Sequence, residues 1–204
     1  MNPFSYPKTK VVRSQTPSAY VTYKRYKPFL QVEFGRQCVY CRMPDTTRES
    51  WFGADHYKPK SLFPDLSAEY SNLYYCCNQC NARKGDYWEP HNRSNRYVPN
   101  PCDHVMWSHL RFRGGIVETR TETGRFAEEL LDLNDPSVVQ QREGTIHLID
   151  LCLNSIREAE RMVVEIQKLF KEGVISQAVR DTETANASAL IKKSQASLGQ
   201  LIPT

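Results

Sequence analysis

The clearest periodic signal lies late in the chain. Ile156, Ala159, Met162, Val163, Ile166, Leu169 and Phe170 recur at the three-and-four spacing of one helix face. Ser155 with Glu158 reads as a capping box that starts this helix, and Gly173 ends it. An earlier helix is predicted from Asp135-Pro136 to about Leu153, with Gly144 a weak point in its middle. Upstream the period shortens to that of strands. Residues 109–113 and 116–120 flank Gly114-Gly115, a two-residue hairpin signal. Residues 51–56 and 70–75 read as two more short strands around the loop 59–68, and a short helix is expected from Cys77 to about Trp88. Nearer the N-terminus, Thr16-Pro17 is a cap and first-turn pair. It predicts a helix carrying Tyr20, Tyr23, Tyr26 and Leu30 on one side, kinked or interrupted at Pro28. Residues 1–15, 42–50 and 97–103 lack periodicity and read as an irregular arm, a polar turn and a loop.

This mixture is of the α+β class. The late apolar stripe is ordinarily core, and its other use is to bind a partner. Residues 181–204, rich in Ala, Ser, Thr, Asn and Gln, fit a loosely held helix, a partner contact or disorder.

Composition narrows the picture. With 40% hydrophobic and 25% charged residues, the 204-residue chain has the make-up of a globular protein. Its length suits one domain with an appendage, or two small domains. No apolar run approaches membrane-spanning length, and the N-terminus lacks the apolar core of a signal peptide. A cytoplasmic protein with no membrane partner is the expectation. The net charge of +4 is modest but uneven. No acidic residue precedes Glu33, whereas Lys8, Lys10, Arg13, Lys24, Arg25 and Lys27 do, interleaved with Tyr6, Tyr20, Tyr23 and Tyr26. Such a stretch can follow a phosphate backbone and stack on bases. Equally, it can be a solvated basic face whose tyrosines pack inward.

Candidate chemistry concentrates between Cys38 and Trp88. Two Cys-x-x-Cys pairs, Cys38/Cys41 and Cys77/Cys80, bracket Asp55-His56 and Asn72. Each such turn can bring two thiolates to one ion, and four thiolates complete the closed shell of structural zinc. The segment is small and polar at its centre, so a metal staple would supply folding energy its core lacks. Seven cysteines, four of them in Cys-x-x-Cys pairs, suit a reducing compartment better than a disulfide framework. Cys76 competes for the second pair and is read as a buried thiol. Cys102 and Cys152 read as ordinary core or loop residues. His91, His104, His109 and His147 read as structural or solvent-facing, His91 being nearest the expected active-site helix.

Within that frame the residues resemble the HNH endonucleases, the ββα-metal nucleases. Asp55-His56 with Pro59-Lys60-Ser61 is similar to the family's first motif, and Asn72-Leu73 to its central one. Cys77-x-x-Cys80-Asn81-x-x-Lys84-Gly85 is similar to its closing zinc-knuckle helix. The third position, often His in the family, is Asn81 here, an HNN variant. The resemblance implies a ββα-metal core with a four-cysteine zinc, flanked by N-terminal and C-terminal helices. It implies His56 as general base, and Asp55 and Asn81 as ligands of a catalytic Mg²⁺ or Mn²⁺. Asn72 would fix the loop that carries His56. On charge and placement alone, Lys84 is a candidate phosphate contact, and Lys60 is expected to contact substrate as well. Adjacent residues of a regular strand point to opposite faces. Asp55 and His56 therefore share a site only if the strand ends or twists there, and Pro59 makes such an ending plausible.

A fainter resemblance takes in residues 97–103 (YVPNPCD), the Gly-Gly hairpin and Leu131-Asp132-Leu133-Asn134. It is to small HNH proteins of bacterial anti-phage defence, of the Septu and retron kind. It implies an effector nuclease acting on nucleic acid, with DNA expected, alongside an ATPase partner. Residues 1–135 would form the nuclease domain with its basic arm. Residues 136–204 would form a helical region for assembly with that partner or a second copy. The competing reading is a zinc-stapled nucleic-acid-binding or scaffold module without catalysis.

Overall fold

The structure, a computed structural model, describes residues 2–46, 49–91 and 93–202. Parts of the arm (Met1), the polar turn (Thr47, Arg48) and the tail (203–204) lie outside the described residues. The chain forms two compact units, 2–143 and 144–202, and the boundary falls inside one helix.

In the first unit, helix α1 (Lys27–Glu33) leads to strand β1 (Phe52–His56). Strand β2 (Leu73–Cys77) runs antiparallel to β1, with Phe52 opposite Cys77 and His56 opposite Leu73. Helix α2 (Asn78–Lys84) follows β2 without a loop. Four successive residues of β2, Leu73 to Cys76, are buried, so the strand shows no alternation of apolar and polar positions. Helix α1 packs against it, and the first cysteine turn docks on its free edge through Val39 N–H to Tyr75 O (3.0 Å). The tyrosine hydroxyls carried inward each find an acceptor, Tyr74 on Asn100 Oδ1 (2.9 Å) and Tyr75 on Asp45 Oδ2 (2.5 Å). Burying a hydroxyl without such a partner would cost about 1–3 kcal/mol.

The N-terminal region departs from the helix expected at Thr16-Pro17. Helical structure begins only with a 3-10 turn at Tyr23–Tyr26. Pro28 then lies in the first turn of α1 rather than interrupting a longer helix. Proline lacks an N–H and has a fixed φ, so it fits a first turn and would break the interior of a helix begun at Pro17. The preceding chain instead folds back on Tyr26, whose hydroxyl accepts from Tyr20 N (2.8 Å).

The arm before it is irregular yet pinned. Tyr6 is buried, stacks on Phe112 at 4.9 Å and donates to Tyr40 O (2.7 Å). Arg13 donates to Leu73 O (2.8 Å) and lies over the rings of Phe34, Tyr70 and Tyr74. One cation of the basic stretch is thus spent on holding the sheet, and Tyr6 and Tyr26 belong to the core.

A short helix α3 (Met106–His109) opens into the hairpin of β3 (Leu110–Arg113) and β4 (Ile116–Thr119), turning at Gly114-Gly115. The Asn134 side chain extends β4 like a strand, accepting from Val117 N (2.8 Å) and donating to Val117 O (2.9 Å). Helix α4 (Glu122–Leu131), which was not expected, is capped by Thr121, whose Oγ1 accepts from Gly124 N (3.0 Å). A Cβ added at Gly124 would fall 2.1 Å from the His109 carbonyl oxygen. Alanine there would gain about 1 kcal/mol in helix propensity, but the backbone contact cannot yield cheaply. Gly124→Ala should therefore lower stability by about 2 kcal/mol net. The check is the urea midpoint at constant m, and an unchanged midpoint would contradict the packing.

Helix α5 spans Pro136–Lys171 in one piece. Asp135 caps it as expected, its Oδ1 accepting from Ser137 N (2.9 Å) and Val138 N (3.3 Å). The second helix expected at Ser155 does not begin anew. A capping box acts only where the chain arrives extended, and residues 150–154 are already helical. Extending a formed helix costs far less than nucleating another.

In the second unit, the remainder of α5 turns at Gly173 (φ +72°) into helix α6 (Gln177–Leu201), capped by Ser176 Oγ on Val179 N (3.3 Å). The polar tail is thus mostly helix. Of the late apolar stripe only Ala159 is fully buried, and Met162 is half exposed. No helix among the described residues is long and apolar enough to cross a membrane.

Candidate metal centre and adjoining cleft

The two cysteine pairs meet. The first lies on a tight turn closed by Arg42 N to Cys38 O (3.0 Å) and Cys38 N to Met43 O (3.0 Å). The second lies where β2 passes into α2. Cys77 is the cap residue, and its Sγ accepts from Cys80 N (3.5 Å). The four sulfur atoms of Cys38, Cys41, Cys77 and Cys80 all lie within 4.8 Å of one another. Tetrahedral zinc at its usual bond length to sulfur spaces its ligands about 3.8 Å apart. Cys41 Sγ and Cys77 Sγ are 3.7 Å apart, so the set fits zinc in both chemistry and size.

Electrostatics point the same way. Hydrogen bonding from Cys38, Cys41 and their neighbours holds the Cys77 thiol well below its ordinary range. Hydrogen bonding with Cys38 pushes Cys41 and Cys80 up. Without a cation the cluster can hold a thiolate only by keeping others protonated, whereas a bound divalent ion deprotonates all four. Cys76 stands outside this set. Burial raises its pKa, and its Sγ donates to Cys77 O (3.2 Å).

Beside this centre, a cleft of about 180 Å³ lies between the end of β1 and α2, and Asp55, His56, Lys60 and Asn81 all line it. Strand β1 ends at His56, which lets two consecutive residues reach one site. His56 Nε2 is 2.9 Å from Ser67 O. A carbonyl only accepts, so Nε2 carries a proton, and the neutral tautomer with that bond has its lone pair on Nδ1. The ring of Tyr23 packs against this one in a T-shaped pair, with centroids 4.6 Å apart.

Asn72 is buried and clamps the segment after His56. Its Oδ1 accepts from Lys58 N (2.9 Å), while its Nδ2 donates to Lys58 O (3.0 Å) and Leu66 O (3.3 Å). Asn72 O also accepts from Tyr57 N (2.9 Å). The carboxamide therefore fixes both ends of the loop that follows the histidine.

Asp55 is 2% exposed, and each of its oxygens already holds a donor. Tyr40 OH donates to Oδ2 (2.6 Å) and Lys84 Nζ to Oδ1 (3.1 Å). Burial, and next the charge of Asp55, hold the Tyr40 hydroxyl in its neutral donor form. Lys84 donates also to His56 O (2.8 Å), and its side chain is 1% exposed. The ammonium expected at a phosphate is thus turned inward, where it ties α2 to the end of β1.

Sequence reasoning did not single out Asp86, which also lines the cleft. It follows Gly85 (φ +52°), where the chain leaves α2. A lone exposed aspartate after a glycine gives no signal in the sequence. Nor did the pattern mark Tyr40 or the Ser67 carbonyl, whose roles depend on folding across 15 and 11 positions. Asp55, Asn81 and Asp86 offer oxygen donors of the kind Mg²⁺ or Mn²⁺ takes. A carboxylate oxygen that accepts one hydrogen bond retains a second lone pair.

No protein-family model matches the chain, and no solved structure matches it. Over 112 residues it is 23% identical to the Septu protein PtuB of Bacillus thuringiensis. That alignment covers 53% of this chain and 42% of that protein. The chain therefore spans less than half of this relative. An α+β chain with a four-cysteine centre that can hold zinc is thus distantly similar to a Septu protein.

Proposed function

We propose that the chain is a metal-dependent endonuclease of the HNH type, with a ββα-metal core stapled by zinc at Cys38, Cys41, Cys77 and Cys80. The observation that carries this reading is His56 at the strand end. Its Nε2 is held by a backbone carbonyl and its Nδ1 is left as a base, in a cleft shared with Asp55 and Asn81. In hydrolysis, Nδ1 takes a proton from a water molecule as the water oxygen bonds to phosphorus and the bond to the leaving oxygen breaks. Asp55 and Asn81, with Asp86 nearby, would hold Mg²⁺ or Mn²⁺. Such an ion supplies charge neutralisation at the scissile phosphate. Lys60 lies in the cleft and is the first candidate for a phosphate contact. Asn72 keeps His56 in place through the loop it clamps.

The similarity to a Septu protein supports a role in anti-phage defence, with DNA as substrate and an ATPase as partner. The helical region from Pro136 onward would serve assembly with that partner or a second copy. The scaffold alternative draws support from one observation, the engagement of both Asp55 oxygens by protein donors. A cleavage assay decides between them, using zinc-loaded protein on duplex DNA, single-stranded DNA and RNA, with and without Mg²⁺ or Mn²⁺. Cutting that starts on addition of the ion is expected. No cutting of any substrate, alone or with the proteins encoded beside it, would favour the scaffold.

A further inference from the structure

We propose that the Lys84 ammonium occupies the place of the divalent ion at Asp55, so that the ion pair and ion binding exclude each other. This rests on the reading of the cleft as a metal site, and it concerns what this chain puts there in the ion's absence.

Lys84 makes the one ion pair of Asp55 among the described residues, at 3.1 Å. The two side chains are 1% and 2% exposed, so water does little to screen them. A buried carboxylate without a cation is heavily penalised, and a lysine at that distance offsets much of that penalty. Lys84 sits one turn after Asn81 on α2, and Gly85 then turns the chain so that Asp86 joins the same cleft. An ion drawn toward Asn81 and Asp86 therefore meets Asp55 with the ammonium already on it.

Charge favours exchange over coexistence. An ion plus Lys84 and Lys60 would set four positive charges against the two of Asp55 and Asp86. Withdrawal of Lys84 relieves the excess, and a phosphodiester in the cleft would give the freed ammonium a new partner. The long, flexible lysine stem permits such a swing, and Tyr40 can hold Asp55 in position through Oδ2 while Oδ1 changes partner. Ion affinity would then be low in the resting chain and higher when substrate is present.

The test uses the zinc-loaded full chain without nucleic acid, reading Mn²⁺ binding by the loss of the free-ion paramagnetic resonance signal. Lys84→Gln keeps a donor for His56 O and removes the charge. It should bind Mn²⁺ at least tenfold more tightly than the parent, with a larger rise in Tm on adding the ion. Asp55→Asn added to that variant should abolish both gains. Equal affinity in parent and Lys84→Gln, or a gain that survives Asp55→Asn, overturns the proposal. Should Lys84→Gln fold only with Mn²⁺ present, that dependence supports it. Should it not fold at all, the parent decides. Acylation of the Lys84 amine, followed by mass spectrometry, should increase with millimolar Mn²⁺ while that of Lys60 does not. Unchanged Lys84 reactivity overturns the idea. A chain that cuts nucleic acid yet fails these tests loses this proposal alone. One that passes them but cuts nothing loses the nuclease reading alone.

Discussion

Cys77→Ser should release the metal and unfold the region from Cys38 to Lys84. Elemental analysis of parent protein purified without chelator should give one zinc per chain, and the variant should give none. Structural zinc of this kind contributes on the order of 10–16 kcal/mol of apparent binding energy. That matches or exceeds the whole stability of a typical domain, about 5–15 kcal/mol. Few single changes here should cost more. The serine is informative because a hydroxyl can still cap α2, as Cys77 Sγ does now toward Cys80 N. Collapse of the variant therefore reports loss of the ligand rather than of the cap. Cys76→Ser is the matched control, since Cys76 is buried beside the cluster without belonging to the four. It should change stability modestly and leave the zinc count alone. A parent chain that is folded and free of zinc would end this account.

The second large effect concerns His56. His56→Ala should lower Mg²⁺-dependent cleavage by about 10²–10⁴-fold, the usual worth of a positioned general base. Zinc content and Tm should barely move, because among the described residues the imidazole makes one hydrogen bond, to Ser67 O, and is only partly buried. That pairing of results separates catalyst from scaffold. A loss of activity with a matching loss of zinc would mean the side chain is structural. Undiminished cutting by the variant would remove His56 from the mechanism.

What the chain disclosed in advance depended on the range of the forces involved. The Gly114-Gly115 hairpin, the strand ending at His56 and the cap at Asp135 are set by neighbours within a few positions, and all three were legible. The pairs Cys38/Cys41 and Cys77/Cys80 were legible for a chemical reason, since few other arrangements of four thiols serve a purpose. Pro28 was misread because its meaning depends on where the helix starts, and the fold-back onto Tyr26 decides that. The break expected at Ser155 failed because a local cap competes poorly with a helix already formed. Lys84 was placed at the phosphate by its charge. Its inward turn depends on Asp55, 29 residues earlier, and no local pattern reports that partner. The arm was legible as irregular but not as pinned.

That arm sets an order of events on the ribosome. Its holds lie far ahead in the chain: Tyr6 on Tyr40, Arg13 on Leu73, Trp107 on Pro7 O, and Asn2 on Gly114 O, 112 positions away. Asn2 and the ring of Tyr6 cannot reach their final places until the β3–β4 hairpin has emerged. The cysteine turns and the two strands between them can therefore take shape while part of the arm is still unplaced. Zinc can enter during that interval, before Tyr6 stacks on Phe112 and completes the cover.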